Sequence, residues 1–226
     1  MIIQYTAIGD SLTTGFGALP GNGFVPIYQR IAQSRLQSSV VSTNLGVNGM
    51  TSAELKQRLQ GNPMTRQAIK SSDIITLSIG GNDLIRAAKA GVRQPNRLSL
   101  DLRRTLQECK QNFGGIMGTL IQLKAGMRKP YIIRMVGLYN PYPQVAEATD
   151  WVRQFNYYAS QYSNQICGFA SIYYEFSGNE RRLLSFDHVH PNGRGYHIIA
   201  EKLDSWLREA EMIASEYKRK RLYSIR

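Results

Sequence analysis

The sequence predicts an α/β protein, a three-layer α/β/α sandwich built on a parallel sheet. Three observations predict it. Five short apolar runs recur along the chain, at Ile3 to Ile8, Val40 to Leu45, Ile74 to Ile79, Tyr131 to Val136 and Phe169 to Tyr174. Most of them lack clean in/out alternation, as expected of strands buried on both faces. Longer stretches with helical spacing lie between them, and strands that alternate with helices build βαβ units.

The helical stretches follow in order. Val25, Tyr28, Ile31 and Ala32 share one face of a first helix, with Pro26 near its start. Leu98 to Leu123 carries helical spacing, but Gly114-Gly115 and Gly118 are expected to loosen or break it. Val145 to Cys167 reads as a Tyr-rich helix in which Tyr157, Tyr158 and Tyr162 serve packing. Ile199, Leu203, Trp206, Leu207, Ala210 and Ile213 form the apolar stripe of a last helix, whose basic end falls at about 214–226. No linker, repeat or low-complexity tract intervenes, so residues 1–226 are expected to form one domain.

Bulk properties narrow the classes. No apolar stretch is long enough to cross a bilayer. The N-terminal Met1-Ile2-Ile3-Gln4-Tyr5 lacks the basic region and cleavage site of a signal peptide, which predicts a cytoplasmic protein. Cys109 and Cys167 show neither metal spacing nor a redox pair and read as two reduced, buried thiols. With 28 Lys and Arg against 16 Asp and Glu, the formal net charge is +12. That charge favours anionic partners, whether nucleic acid, phospholipid headgroups or acidic polymers, but names no reaction. Arg86, Lys89, Arg93 and Arg97 recur at near-helical spacing, and Lys218-Arg219-Lys220-Arg221 with Arg226 crowd the tail. A solvated face is the default for both groups, and contact with an anionic membrane surface is the alternative.

In parallel α/β sheets ligands bind beyond the carboxyl ends of the strands. The polar clusters of this sequence fall there: Gly9-Asp10-Ser11-Leu12, Gly46 to Gly49, Gly80-Gly81-Asn82-Asp83, Tyr139 to Pro143 and Asp187 to His190. A serine hydroxyl needs a base within hydrogen-bond reach, and the base needs a partner that fixes its tautomer. Ser11 lies at a strand-to-helix turn, and Asp187 and His190 are spaced to meet within one turn-like segment. Acyl transfer also needs donors aimed at the developing oxyanion. The backbone N–H groups of Ser11 and Gly49 and the side-chain amide of Asn82 are the candidates. Taken singly, Ser11 and Asn82 read as helix caps and Gly49 as a turn glycine. Asp10 and Asp83 read as structural, His188 as a bystander, and His197 as part of the last helix. Phe16, Leu19, Leu84, Tyr139, Pro141 and Tyr142 lie on rim loops and are candidates for the lining of a substrate pocket.

Four of these blocks, in order over residues 9 to 190, resemble the SGNH/GDSL hydrolase family. The run Tyr5-Thr6-Ala7-Ile8-Gly9-Asp10-Ser11 is further similar to its Bacillus-type germination lipase branch. The resemblance implies a flavodoxin-like sandwich with a five-stranded parallel sheet in the order 2-1-3-4-5. It implies an esterase or lipase with Ser11 as nucleophile, His190 and Asp187 completing a triad, and Ser11, Gly49 and Asn82 as the oxyanion hole. It implies neither metal nor cofactor, and as partner a small-molecule or lipid ester, phospholipid and lysophospholipid acyl esters included.

Two other classes compete. Gly15-Phe16-Gly17 brushes against a dinucleotide fingerprint, but Pro20 stands at its third glycine, Asn44 replaces the acidic ribose ligand, and no GxxxxGK run occurs. A basic, non-catalytic module that binds anionic membrane or nucleic acid is the alternative that charge supports, although no specific nucleic-acid motif is present.

Overall fold

The computed structural model describes residues 2–93, 98–127 and 129–205. Arg97, the stripe residues Trp206, Leu207, Ala210 and Ile213, and the basic segment at 214–226 lie outside the described residues.

Five parallel strands, β1 (Ile2–Gly9), β2 (Ser39–Gly46), β3 (Ile74–Ser78), β4 (Ile132–Val136) and β5 (Cys167–Ala170), form one sheet in the order β2-β1-β3-β4-β5. The order reverses between β1 and β3, and the crevice that opens at such a switch point lies next to the end of β1. Strand period two then sorts the side chains. Ile8, Ile75, Leu77, Ile133 and Met135 point into one core. Tyr5, Ala7, Ile74 and Val136 point into the other. The first core is closed by α3 (Ser52–Gly61), α4 (Pro63–Ser71), α5 (Gly81–Arg93), α6 (Leu98–Lys124) and α7 (Ala146–Ser160). The second is closed by α2 (Phe24–Leu36) and α10 (Gly193–Asp204), preceded by the single turns α8 (Tyr173–Phe176) and α9 (Glu180–Leu183). A one-turn α1 (Ser11–Thr14) follows β1 directly.

Three expectations are corrected. The helix over Leu98 to Leu123 does not break: α6 runs 27 residues through all three glycines. Contact explains two of them. A Cβ on Gly115 would sit 2.9 Å from Cε of Lys56 on α3, and one on Gly114 would sit 2.9 Å from the hydroxyl of Tyr162. These glycines cost helix propensity and gain close approach. The fifth strand lies at Cys167–Ala170 rather than 169–174, because β4 ends at Val136, the partner of Ala170, and offers nothing further to pair with. The chain turns instead into α8, where Phe176 is buried and Tyr174 exposed. The Tyr-rich helix stops at Ser160 rather than Cys167. Asn164 then accepts hydrogen bonds from the backbone N–H of Ile166 and Cys167 and turns the chain into β5.

Cys109 and Cys167 are free and buried. Among the described residues no helix is long and apolar enough to cross a membrane.

Candidate active site

The site is built from the ends of four strands. β1 runs into Gly9, whose φ of 141° lets the chain turn immediately above β3. Asp10 caps α1 by accepting from the backbone N–H of Leu12 at 3.1 Å, and Gly15, with φ 81°, ends the helix one turn later. Ser11 therefore stands at the first position of a four-residue helix, too short to carry much of a macrodipole. Its placement rests on side chains instead. Asp10 Oδ1 also accepts from Ser78 Oγ at 2.8 Å, Ser78 lies 2.7 Å from Thr13 Oγ1, and Thr13 donates to the carbonyl of Ile8 at 3.1 Å. Asn44 on β2 donates to the carbonyl of Thr13 at 2.7 Å. The turn is clamped from both neighbouring strands.

Asp187, His188 and His190 sit on a loop whose base is bridged between Leu184 and Pro191. His188 takes the left-handed conformation, φ 57°, that turns the loop back on itself; its side chain is exposed. This curls the backbone N–H groups of Val189 and His190 onto Asp187 Oδ1, at 3.0 and 2.9 Å, beside the Ser185 hydroxyl at 2.8 Å. Oδ2 is left for the imidazole: His190 Nδ1 lies 2.5 Å away. On the other side of the ring, Nε2 lies 2.8 Å from Ser11 Oγ. Burial pushes the Asp187 carboxyl up, but the His190 ring, the two backbone N–H groups and Ser185 outweigh it and hold the group well below the usual carboxylate range. An ionised Asp187 accepts the Nδ1 proton and leaves Nε2 unprotonated, facing the serine hydroxyl. The Phe16 ring meets the imidazole edge-on at 4.7 Å, and Tyr139 donates to the carbonyl of Val189 at 2.5 Å.

The two remaining candidates are held by a latch that sequence reasoning missed. Asn82, in the first turn of α5, donates from Nδ2 to the carbonyl of Met50 at 3.0 Å. One turn on, Arg86 donates to the carbonyl of Gly49 at 2.8 Å and to Glu54 at 3.1 Å. Asp83 accepts from the N–H and hydroxyl of Ser52 at 2.9 and 2.6 Å. The turn after β2, where Gly49 has φ 76°, is thereby fixed to α5. Arg86, though exposed, is one of the residues that hold that turn rather than a cation without partners. The available signal was its spacing: Asn82 and Arg86, four residues apart on a helix, face the same neighbour.

An apolar cavity of about 100 Å³ opens beside Ser11, Asn82 and His190. Leu84, Ile85 and Ala88 of α5 and Ala148 and Val152 of α7 form its walls, and Leu138, Tyr139, Pro141 and Tyr142 its lip. Of the pocket candidates, Leu84, Tyr139, Pro141 and Tyr142 line it. Phe16 packs on His190 outside the cavity, and Leu19 is 76% exposed and lines nothing. Asn156 of α7, unnoticed in the sequence, holds the lip by pairing with both the N–H and the carbonyl of Leu138 at 2.8 Å. Asp83 and Asp10 are structural as expected, and His197 lies on α10 beside Glu201 at 3.2 Å.

Asp10 carries a testable electrostatic signature. Complete burial raises its pKa from 3.8 to about 6 against the hydrogen bonds from Ser78 and Leu12. A carboxyl raised in the folded state holds its proton longer than in the unfolded chain, so stability falls as pH rises from 3.8 to 6. The difference amounts to about 3 kcal/mol. Asp10→Asn keeps the acceptor oxygen and removes that slope. Urea unfolding below pH 3.8 and above pH 6 should show the variant gaining on the parent across the window. Parallel curves would mean that Asp10 titrates normally.

A hydroxyl, an imidazole and a carboxylate in line on the rim of a 2-1-3-4-5 sheet define a class, and sequence comparison agrees. The chain belongs to the GDSL-like Lipase/Acylhydrolase family, whose model matches residues 7–198. It is 32% identical to the spore germination lipase LipC of Bacillus licheniformis over 90% of this chain and 95% of that protein. Among solved structures it is similar to the lipase Lip_vut3 from a goat rumen metagenome, with TM-score 0.83, 31% identity, and coverage of 90% of this chain and 97% of that one. It shares the fold of an acetylxylan esterase from Geobacillus stearothermophilus, with TM-score 0.61 and 19% identity over 92% of this chain and 94% of that one. The chain is a GDSL-type esterase or lipase.

Proposed function

We propose that the chain hydrolyses carboxylic esters, lipid acyl esters among them, through an acyl-enzyme on Ser11. The observation that carries this reading is the continuous line Asp187–His190–Ser11, with heavy-atom distances of 2.5 and 2.8 Å. His190 Nε2 takes the proton of Ser11 Oγ as that oxygen attacks the acyl carbonyl. The backbone N–H groups of Ser11 and Gly49 and the amide of Asn82 receive the oxyanion. An amide carries two N–H bonds; Asn82 spends one on Met50 and keeps the other for this purpose. Collapse of the tetrahedral adduct breaks the bond to the alkoxy oxygen, which leaves as the alcohol with the proton from His190. A water then gives its proton to His190 and attacks the acyl carbon, releasing the acid and restoring Ser11.

The apolar cavity between α5 and α7 supports an acyl group as the occupant. The similarity to two proteins named as lipases supports a lipid ester. With an excess of twelve positive charges in the sequence, an anionic headgroup is the favoured partner. The test is Asn82→Ala, assayed with a soluble p-nitrophenyl ester. The parent should turn the ester over, and the variant should lose roughly 10²–10³ in kcat with little change in KM. A parent that leaves the ester intact would remove the reading. A variant with unchanged kcat would take Asn82 out of the oxyanion hole.

A further inference from the structure

Exposed apolar side chains are ordinary on a protein surface. Among the described residues, three of them lie on the two loops beside His190. Phe186 is 86% exposed, Leu19 76% and Phe16 44%. Phe186 stands on the loop bridged at Leu184 and Pro191, one residue before Asp187. Phe16 and Leu19 stand on the loop after α1. The two loops are packed together: a Cβ on Gly17 would lie 2.8 Å from the carbonyl oxygen of Pro191 and 2.9 Å from Cβ of His190. The two loops that carry the exposed rings and the leucine thus adjoin one another beside His190, next to the cavity.

Cations accompany them. Arg182 and Arg194, both exposed, stand at the base of the Phe186 loop. Asn192 fixes them there by donating to the carbonyls of Arg182 and Leu184 and accepting from the N–H of Arg194. Lys89 is exposed on α5, the helix that forms one wall of the cavity. Exposed apolar side chains with arginines at the base of their loop match a bilayer surface, where rings enter the acyl boundary and arginines meet phosphates.

We propose that Phe186 and Leu19, flanked by Arg182 and Arg194, dock the mouth of the site onto an anionic phospholipid surface. Docking there sets the Ser11–His190 pair at the interface, so an ester need only slide out of the lipid into the cavity. The proposal rests on the esterase reading for its purpose but not for its test.

The test uses the full chain and two kinds of vesicle, one of phosphatidylcholine alone and one with equal parts of phosphatidylglycerol. The parent should sediment with the anionic vesicles, more weakly at high salt, and far less with the neutral ones. The double variant Phe186→Ser, Leu19→Ser should bind anionic vesicles roughly tenfold more weakly. Its turnover of a soluble p-nitrophenyl ester should match the parent, which shows that fold and site are intact. Phe186→Trp should bind at least as well as the parent, because an interfacial ring is retained. Parent-like vesicle binding by the double variant would overturn the proposal, as would equal binding of the parent to both vesicles. So would a parallel loss of soluble turnover, which would assign the two side chains to the site itself. A parent that dimerises by sedimentation velocity while the double variant is monomeric would make the patch a contact between copies. Failure of the parent on the soluble ester, with vesicle binding as described, would instead count against the esterase reading alone.

Discussion

Ser11→Ala should lower kcat on a soluble p-nitrophenyl ester by a factor on the order of 10⁴–10⁶, the usual scale for removing a serine nucleophile. The loss is chemical rather than structural. Ser11 is 7% exposed, its hydroxyl meets His190, and the turn around it is held by Asp10, Thr13 and Ser78. Deleting one oxygen leaves that clamp in place, so the unfolding midpoint should move little. The parent should also release a burst of p-nitrophenol equal to the enzyme whenever deacylation is the slower step, and the variant should show none. Retention of parental turnover by Ser11→Ala would end the assignment of the nucleophile, whatever the family.

Among the described glycines, Gly9→Ala should be the most damaging added methyl. A Cβ at this position would fall 2.0 Å from the carbonyl oxygen of Ser78 and 2.7 Å from its hydroxyl. That carbonyl belongs to the adjacent strand and accepts the N–H of Asp10 at 3.1 Å, so it has little freedom to retreat. The φ of 141° is one that L side chains rarely adopt, which adds strain to the collision. The expected loss is about 3 kcal/mol or more, read by urea unfolding. Activity should fall with it, because any separation of β1 from β3 moves the cap of Ser11 with it. A variant as stable and active as the parent would show that the end of β1 is held less closely than these contacts state.

The fold was legible because the strands are short, continuous and apolar, and the polar blocks fall at their ends. The meeting of Ser11, Asp187 and His190 in one hydrogen-bonded line was legible for a related reason: they carry chemistry that few other residue types supply. What stayed hidden shares a different property. Arg86, Asn156 and Ser78 act through partners distant in sequence, a carbonyl at 49, a backbone at 138 and a carboxylate at 10. Residue type says nothing about such long-range pairing. The pocket reading failed at Leu19 for a geometric reason, since loop position alone does not say on which side of a loop a side chain emerges. Local propensity failed over α6, where glycines at contact points with Lys56, Tyr158 and Tyr162 look like breakers until the neighbours are known.

The Ser11–His190 contact joins the turn after β1 to the loop bridged at Leu184 and Pro191, 179 positions away. Contacts of such long range form late, because the intervening segment must already be ordered before the ends can meet. A chain that lacks the loop bridged at Leu184 and Pro191 holds Ser11 but not the imidazole that faces it. That contact is therefore reached only once the sheet between the two loops is in place.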